Sequence, residues 1–370
     1  MHVQAITYRQ VLFLGMMSMP ITGHFLLVSP MIELSGRDAW LCVLLTLPMG
    51  LLYVTMLWRI HQLHQRVPFA RILLRTFGNG IGHVAAGVFV FYGIFMLIIT
   101  ITCIYDFTIL IYLQDDSKFT IVSSVYAVIG YAIYVGIECV ARASEPLAML
   151  LPFTGSSAGI SSMTYKDYSR LLPLFEYGLA PVIRGMIMCA ALFGEIIILF
   201  MFSFQQNRNS HRKLLYVLIF LILFVSLTFI GAISGCISIF GVQSSISKYY
   251  PTYDILKLVH FGFINRFDIY AIFSLITGGI LRLALWHIAV GEIIRSMWKS
   301  VNPLWLHISI IVIVSIMAMY VIQDSLQFFM VWIKNYYPLT VWVSICIPVI
   351  TWIVSEFRNM RKHRDTKSNT

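Results

Sequence analysis

The sequence predicts an all-α polytopic membrane protein, and three observations carry that prediction. Ten long apolar stretches are separated by short polar connectors. Of the 370 residues, 59% are hydrophobic and only 11% are charged. The mean hydropathy is +0.83. A water-soluble chain of this size cannot bury so much apolar side chain, whereas a bilayer core of about 30 Å accepts roughly 20 apolar residues per helix. Backbone groups must be paired within lipid, so the stretches are expected as helices rather than open strands.

Taken in chain order, the expected spans cover residues 10–32, 38–58, 81–113, 119–139, 146–163, 181–204, 214–240, 267–294, 304–322 and 338–357. The first is too long for a signal-peptide core and lacks a small-residue cleavage site, so it is read as a true span. Trp40 and Trp58 bracket the second as interfacial anchors. The third is long enough to tilt strongly or to project past the bilayer, and Gly78-Asn79-Gly80-Ile81-Gly82 reads as a flexible approach to it. Residues 1–357 thus form one ten-span domain with no room for a soluble one, and 358–370 form a basic, weakly structured cytoplasmic tail.

Charge orients the spans. With the N-terminus inside, sixteen Lys and Arg fall on the cytoplasmic side and nine on the other, Arg282 lying within span eight. That excess places both termini inside. The net charge of +10 is therefore a topology signal and not a nucleic-acid signature. The six cysteines are scattered singly through apolar segments, with no C-x-x-C or His/Cys cluster, and read as small buried hydrophobes. No P-loop, H-E-x-x-H or G-x-S-x-G pattern occurs. No enzyme, cofactor or metal is expected, because no nucleophile–base or ligand constellation is present.

Function is expected where the helical pattern breaks. Span one carries Met19-Pro20-Ile21-Thr22-Gly23-His24 near its middle. Proline removes a backbone donor and glycine loosens what remains, giving either a simple kink or a discontinuous helix with exposed polar ends. Span six carries Leu192-Phe193-Gly194-Glu195. A carboxylate at the bilayer centre costs at least ~2.5–3.5 kcal/mol, so Glu195 must face the interior, pair with a cation or carry a proton. Breaks in the first and sixth of ten spans have the spacing of a five-plus-five inverted repeat with a midplane site. Half-helix ends suit a carboxylate and opened carbonyls suit an ammonium, so an amino acid is the natural ligand. Asp106 in span three and Arg282 in span eight are further intramembrane charges, and either Asp106–Arg282 or Glu195–Arg282 would form a pair. Tyr92, and Thr277 beside Gly278-Gly279, read either as helix packing or as ligand surface.

These features come together in a resemblance. Ile6-Thr7-Tyr8-Arg9-Gln10 leads into span one, Asp38-Ala39-Trp40-Leu41 opens span two, and Phe77–Gly82 precedes span three. Leu172-Pro173 stands ahead of span six, Phe193-Gly194-Glu195 within it, and Asn265-Arg266-Phe267-Asp268 before span eight. In this order the chain resembles the B subunits of GerA-type spore germinant receptors, within the amino acid–polyamine–organocation superfamily. The resemblance implies a LeuT-like fold with broken helices one and six, nutrient sensing in the spore inner membrane, and A and C receptor subunits as partners. Carried onto this chain, it implies a nutrient pocket at Thr22, Gly23, Tyr92, Phe193, Gly194, Glu195 and Thr277. A proton- or sodium-coupled amino-acid permease, a water or ion conduit and a structural scaffold are the alternatives.

Overall fold

Apolar runs bounded by Pro, Gly and charged clusters wind into helices along nearly the whole chain. The computed structural model describes residues 5–65, 67–111, 117–204, 210–258, 268–322 and 326–368. Among them, eight helical runs are long and apolar enough to cross a membrane. The first, Tyr8–Leu63, spans 56 residues, about 84 Å at 1.5 Å per residue and far more than one bilayer. It turns back on itself: α2 (Val28–Ser35) ends at Gly36, whose φ of 58° favours glycine, and α3 (Ala39–Leu63) returns. Both α1 (Tyr8–Pro20) and α3 lie against α8 (Ser210–Phe240). A capping box between Thr7 and Gln10 starts α1.

The second run, α4 (Phe69–Ile111), bends at Gly78, where φ is 76°. A short helix therefore precedes the long one, and the run Gly78–Gly82, expected as a flexible approach, is helical apart from the bend at Gly78. The remaining helices are α5 (Lys118–Val135), α6 (Ile137–Ser161), α7 (Leu179–Gly194), α9 (Val242–Ile246), α10 (Pro251–Leu258), α11 (Asp268–Met297), α12 (Pro303–Ile322), α13 (Leu326–Tyr336) and α14 (Ile347–Ser368). Sequence reasoning missed α9, α10 and α13, short helices within connectors. It also expected a weakly structured tail, whereas α14 continues through Ser368. Part of the motif before span eight, residues 265–267, lies outside the described residues, as do Arg66 and Arg208.

Polar contacts near the span ends fall into two groups. Arg9 pairs with Glu145 at 3.2 Å and Arg59 with Glu356 at 2.7 Å. His64 bonds Ser355 at 2.8 Å, and strand β1 (Ala5–Ile6) pairs in parallel with β2 (Ser203–Phe204). All of these join segments that the charge count puts inside. Conversely Arg37 pairs with Glu176, Lys334 with Glu33, and Arg170 donates to the Ile239 carbonyl. Phe175 N–H donates to Asp38, and Asp167 N–H to the Ser238 carbonyl. These five join segments expected outside.

Candidate functional site

The two expected breaks take the form of changes in helical winding. After Pro20 the first helix becomes a π-helix over Ile21–Leu27 before α2 resumes. After Gly194 the α7 run tightens into a 3-10 helix over Glu195–Met201 and ends in extended backbone at Phe202. Neither helix opens into an unwound gap. Proline without an N–H shifts the hydrogen-bond ladder at a tolerable site, and π-turns and 3-10 turns inside longer helices commonly mark functional positions.

These two segments meet. Thr22 Oγ1 donates to Glu195 Oε2 at 3.2 Å. Glu195 is 1% exposed and Arg282 is fully buried. The guanidinium grips the carboxylate with both terminal nitrogens, Nη1 to Oε2 at 2.6 Å and Nη2 to Oε1 at 3.2 Å. Tyr337 donates its hydroxyl to Oε1 at 2.7 Å. Four donors thus fill the carboxylate's roughly four lone-pair sites. Of the two expected pairings, the one that forms is Glu195–Arg282. Asp106 makes no ion pair with Arg282, and its Oδ2 is buried with no hydrogen-bond partner among the described residues.

Arg282 is held on its remaining edges too. Nε donates to Thr100 Oγ1 at 3.0 Å, and Nη1 to the Ser18 carbonyl at 3.2 Å and Ser18 Oγ at 3.3 Å. Nη2 lies 3.5 Å from Met96 Sδ. Ser18 sits just before the π segment, so this contact fixes Arg282 against the irregular part of the first helix. The guanidinium carbon also stands 5.9 Å from the Trp286 ring, and Trp286 meets Tyr92 edge-on at 5.1 Å. The cluster therefore ties together the first helix, α4, the α7 run, α11 and the 3-10 turn Tyr337–Thr340.

The other expected site residues divide. Gly194 is needed for close packing: a Cβ there would lie 2.2 Å from Ser344 Oγ. Ser344 belongs to a second π segment, Trp342–Cys346. Its carbonyl accepts from the Tyr53 hydroxyl, because Pro348, four residues on, has no N–H to give. Gly23 is less tightly enclosed, since a Cβ there would stand 3.4 Å from the Phe229 ring, close to ordinary contact. Phe193 points away from the charges, against Gly50 of α3. Thr277 does not join the cluster: it is partly exposed and its hydroxyl turns back to the Phe273 carbonyl at 2.6 Å. Its neighbours Gly278 and Gly279 admit Ile21 and Ile104 at close range, which is the helix-packing reading of that motif. Sequence reasoning missed Ser18, Met96, Thr100 and Tyr337. A serine or threonine in an apolar helix gives little signal, and Tyr337 precedes the expected start of span ten.

Comparison with known proteins agrees with the sequence resemblance. The family model described as "Spore germination protein" matches residues 5–327. The chain is 25% identical over 276 residues to "Spore germination protein XB" of Bacillus anthracis, covering 74% of this chain and 77% of that one. It is 26% identical over 292 residues to "Spore germination protein KB" of Bacillus subtilis (strain 168), covering 76% of each. The chain, a largely helical membrane protein with a buried ion pair where its first helix meets the α7 run, thus belongs to the spore germination protein family.

Proposed function

We propose that the chain is the nutrient-sensing membrane subunit of a spore germinant receptor, and that it senses a small zwitterion, an amino acid, at the Glu195–Arg282 cluster. In this reading it crosses the spore inner membrane ten times in a LeuT-like, five-plus-five arrangement. Both termini are cytoplasmic, and the A and C receptor subunits are its partners. The sorting of polar contacts into two groups that match the charge-based sides supports the ten crossings. The contact of Thr22 with Glu195 supports a site between helices one and six.

The observation that carries the reading is the bidentate pair itself. An amino acid offers a second carboxylate and a second cation. It fits by exchange: its carboxylate takes Arg282 and its ammonium takes Glu195. The exchange keeps the site neutral and replaces one set of charge-assisted hydrogen bonds with another. It also separates α11 from the α7 run, because the ligand now stands between the two side chains. Binding shifts the receptor only by the difference in affinity between the paired and the exchanged state.

The test is nutrient-by-nutrient germination of spores carrying Arg282→Lys or Thr22→Ala, with Thr277→Ala as control. The expected result is a displaced dose response for one amino acid in the first two at normal protein level. Unchanged dose responses to every nutrient would overturn the reading. Saturable labelled uptake by the chain alone in liposomes would move it to a permease.

A further inference from the structure

A second site lies beside the first. A cavity of about 530 Å³ opens between the first helix, α6, α8, α10 and the start of α11. The π segment that turns Thr22 toward Glu195 turns Ile21, His24 and Phe25 toward this cavity. Its walls are mainly apolar, with Met17, Phe224, Leu227 and Leu256 among them. A few polar groups converge on it. His24 Nε2 is buried with no hydrogen-bond partner among the described residues. Thr228 and Thr252 add hydroxyls, Thr252 donating to the His24 carbonyl at 3.3 Å. Lys166 lines the rim, and its ammonium donates to the Gly159 carbonyl at 3.2 Å.

The charge balance of this lining is one-sided. Among the described residues, Lys166 is its one Lys or Arg, and no Asp or Glu lines it. The nearby Asp254 is already held by Lys248 and Lys257. Pockets of this size and character bind small, mostly apolar ligands oriented by a few polar groups. An ammonium would find no carboxylate among that lining, whereas a carboxylate would find a cation with two donors to spare. We propose that the cavity binds a small aliphatic monocarboxylate, its chain against Ile21 and Phe25 and its carboxylate on Lys166. Burial holds the Lys166 ammonium below its ordinary range, and a bound carboxylate reverses that penalty. The site is separate from the Glu195–Arg282 cluster and acts on the same π segment, so its occupant modulates whatever the first helix does.

The chain in lipid nanodiscs, dialysed against labelled isocaproate, leucine and isopentylamine with empty nanodiscs as blank, tests the proposal. The three probes share one branched body and differ in head group. Isocaproate binds saturably, isopentylamine does not, and Lys166→Gln weakens isocaproate by about tenfold. Gly159→Leu removes its binding by filling the cavity. A Cβ at Gly159 meets no atom within 4 Å, so a side chain has room to start there, and the circular-dichroism spectrum of the variant checks that it folds. Equal binding of acid and amine, or acid binding untouched by both variants, overturns the proposal. So does a phospholipid chain held in the cavity and released by Gly159→Leu. Leucine binding that survives Lys166→Gln belongs to the midplane cluster, so the two readings fail separately.

Discussion

Removing one partner of the Glu195–Arg282 pair should be far more damaging than removing both. In Glu195→Gln, the guanidinium keeps its full charge in a site with no exposure, and one of the four donors that converged on the carboxylate now meets an amide N–H. Breaking a buried ion pair in this way costs about 3–5 kcal/mol. That is two to three and a half orders of magnitude in the folding equilibrium, since every 1.4 kcal/mol is tenfold. Arg282→Met leaves the carboxylate with only Thr22 and Tyr337 and should fall in the same range. The double variant Glu195→Leu/Arg282→Met removes both charges and should lose much less than either single variant, because apolar replacement of a buried pair is often neutral. Unfolding in mixed micelles, titrated with denaturing detergent, compares the parent chain with these variants, and Glu195→Leu alone supplies the corner that closes the cycle. Single variants costing under about 1 kcal/mol, or a double variant costing the sum, would refute a dry, mutually dependent pair.

Further outcomes follow from the same contacts. Tyr337→Phe deletes one charge-assisted hydrogen bond to Glu195 and should cost about 1.5–3 kcal/mol in the same titration. Gly194→Ala drives a methyl into Ser344 and should cost about 1–3 kcal/mol; adding Ser344→Gly should recover most of it. In a cysteine-free background, single cysteines at Arg59 and Glu356 should react with a membrane-impermeant maleimide from one side, and cysteines at Glu33 and Lys334 from the other. Reaction of Arg59 and Glu356 positions from opposite sides would sink the ten-crossing arrangement. His64, just past α3, is held below its ordinary range by burial and then by the charges of Arg75 and Arg358. Its folded-state value is depressed, so its contribution is complete above the unfolded value near 6.5 and is lost as pH falls. Stability should therefore decline on acidification through that range, and His64→Gln should flatten the decline.

Much of this architecture was legible because lipid leaves the chain few options. Apolar runs near bilayer length located the main helices. Pro20-Ile21-Thr22-Gly23 and Gly194-Glu195 were legible as irregular points because proline and glycine act locally. Their detailed form was not: the contacts on the π segment at Ile21 and the 3-10 segment at Glu195 come from distant elements. Arg282 donates to both the Ser18 carbonyl and Glu195, and Tyr337 donates to Glu195. The choice of Glu195 over Asp106 as the partner of Arg282 was equally illegible, since helix order does not say which faces meet. Thr277 stands outside the cluster, its hydroxyl bonded to the preceding turn, as threonine in an apolar helix readily is.

The double replacement separates what the ion pair does for folding from the signalling role proposed for it. A buried salt bridge is weak evidence for stability, because desolvation of two ions offsets their attraction. What the pair adds here is directional: a flat guanidinium with five N–H donors reaches Ser18, Thr100 and Glu195 at once, and Leu or Met has no such geometry. With Glu195→Leu/Arg282→Met the helices should still assemble, while the exchange with a zwitterion has nothing left to exchange. Spores carrying it should contain normal amounts of the protein and ignore its nutrient. A normal nutrient response from that variant would mean the pair is only packing material, and the sensing role assigned to it would fall with it.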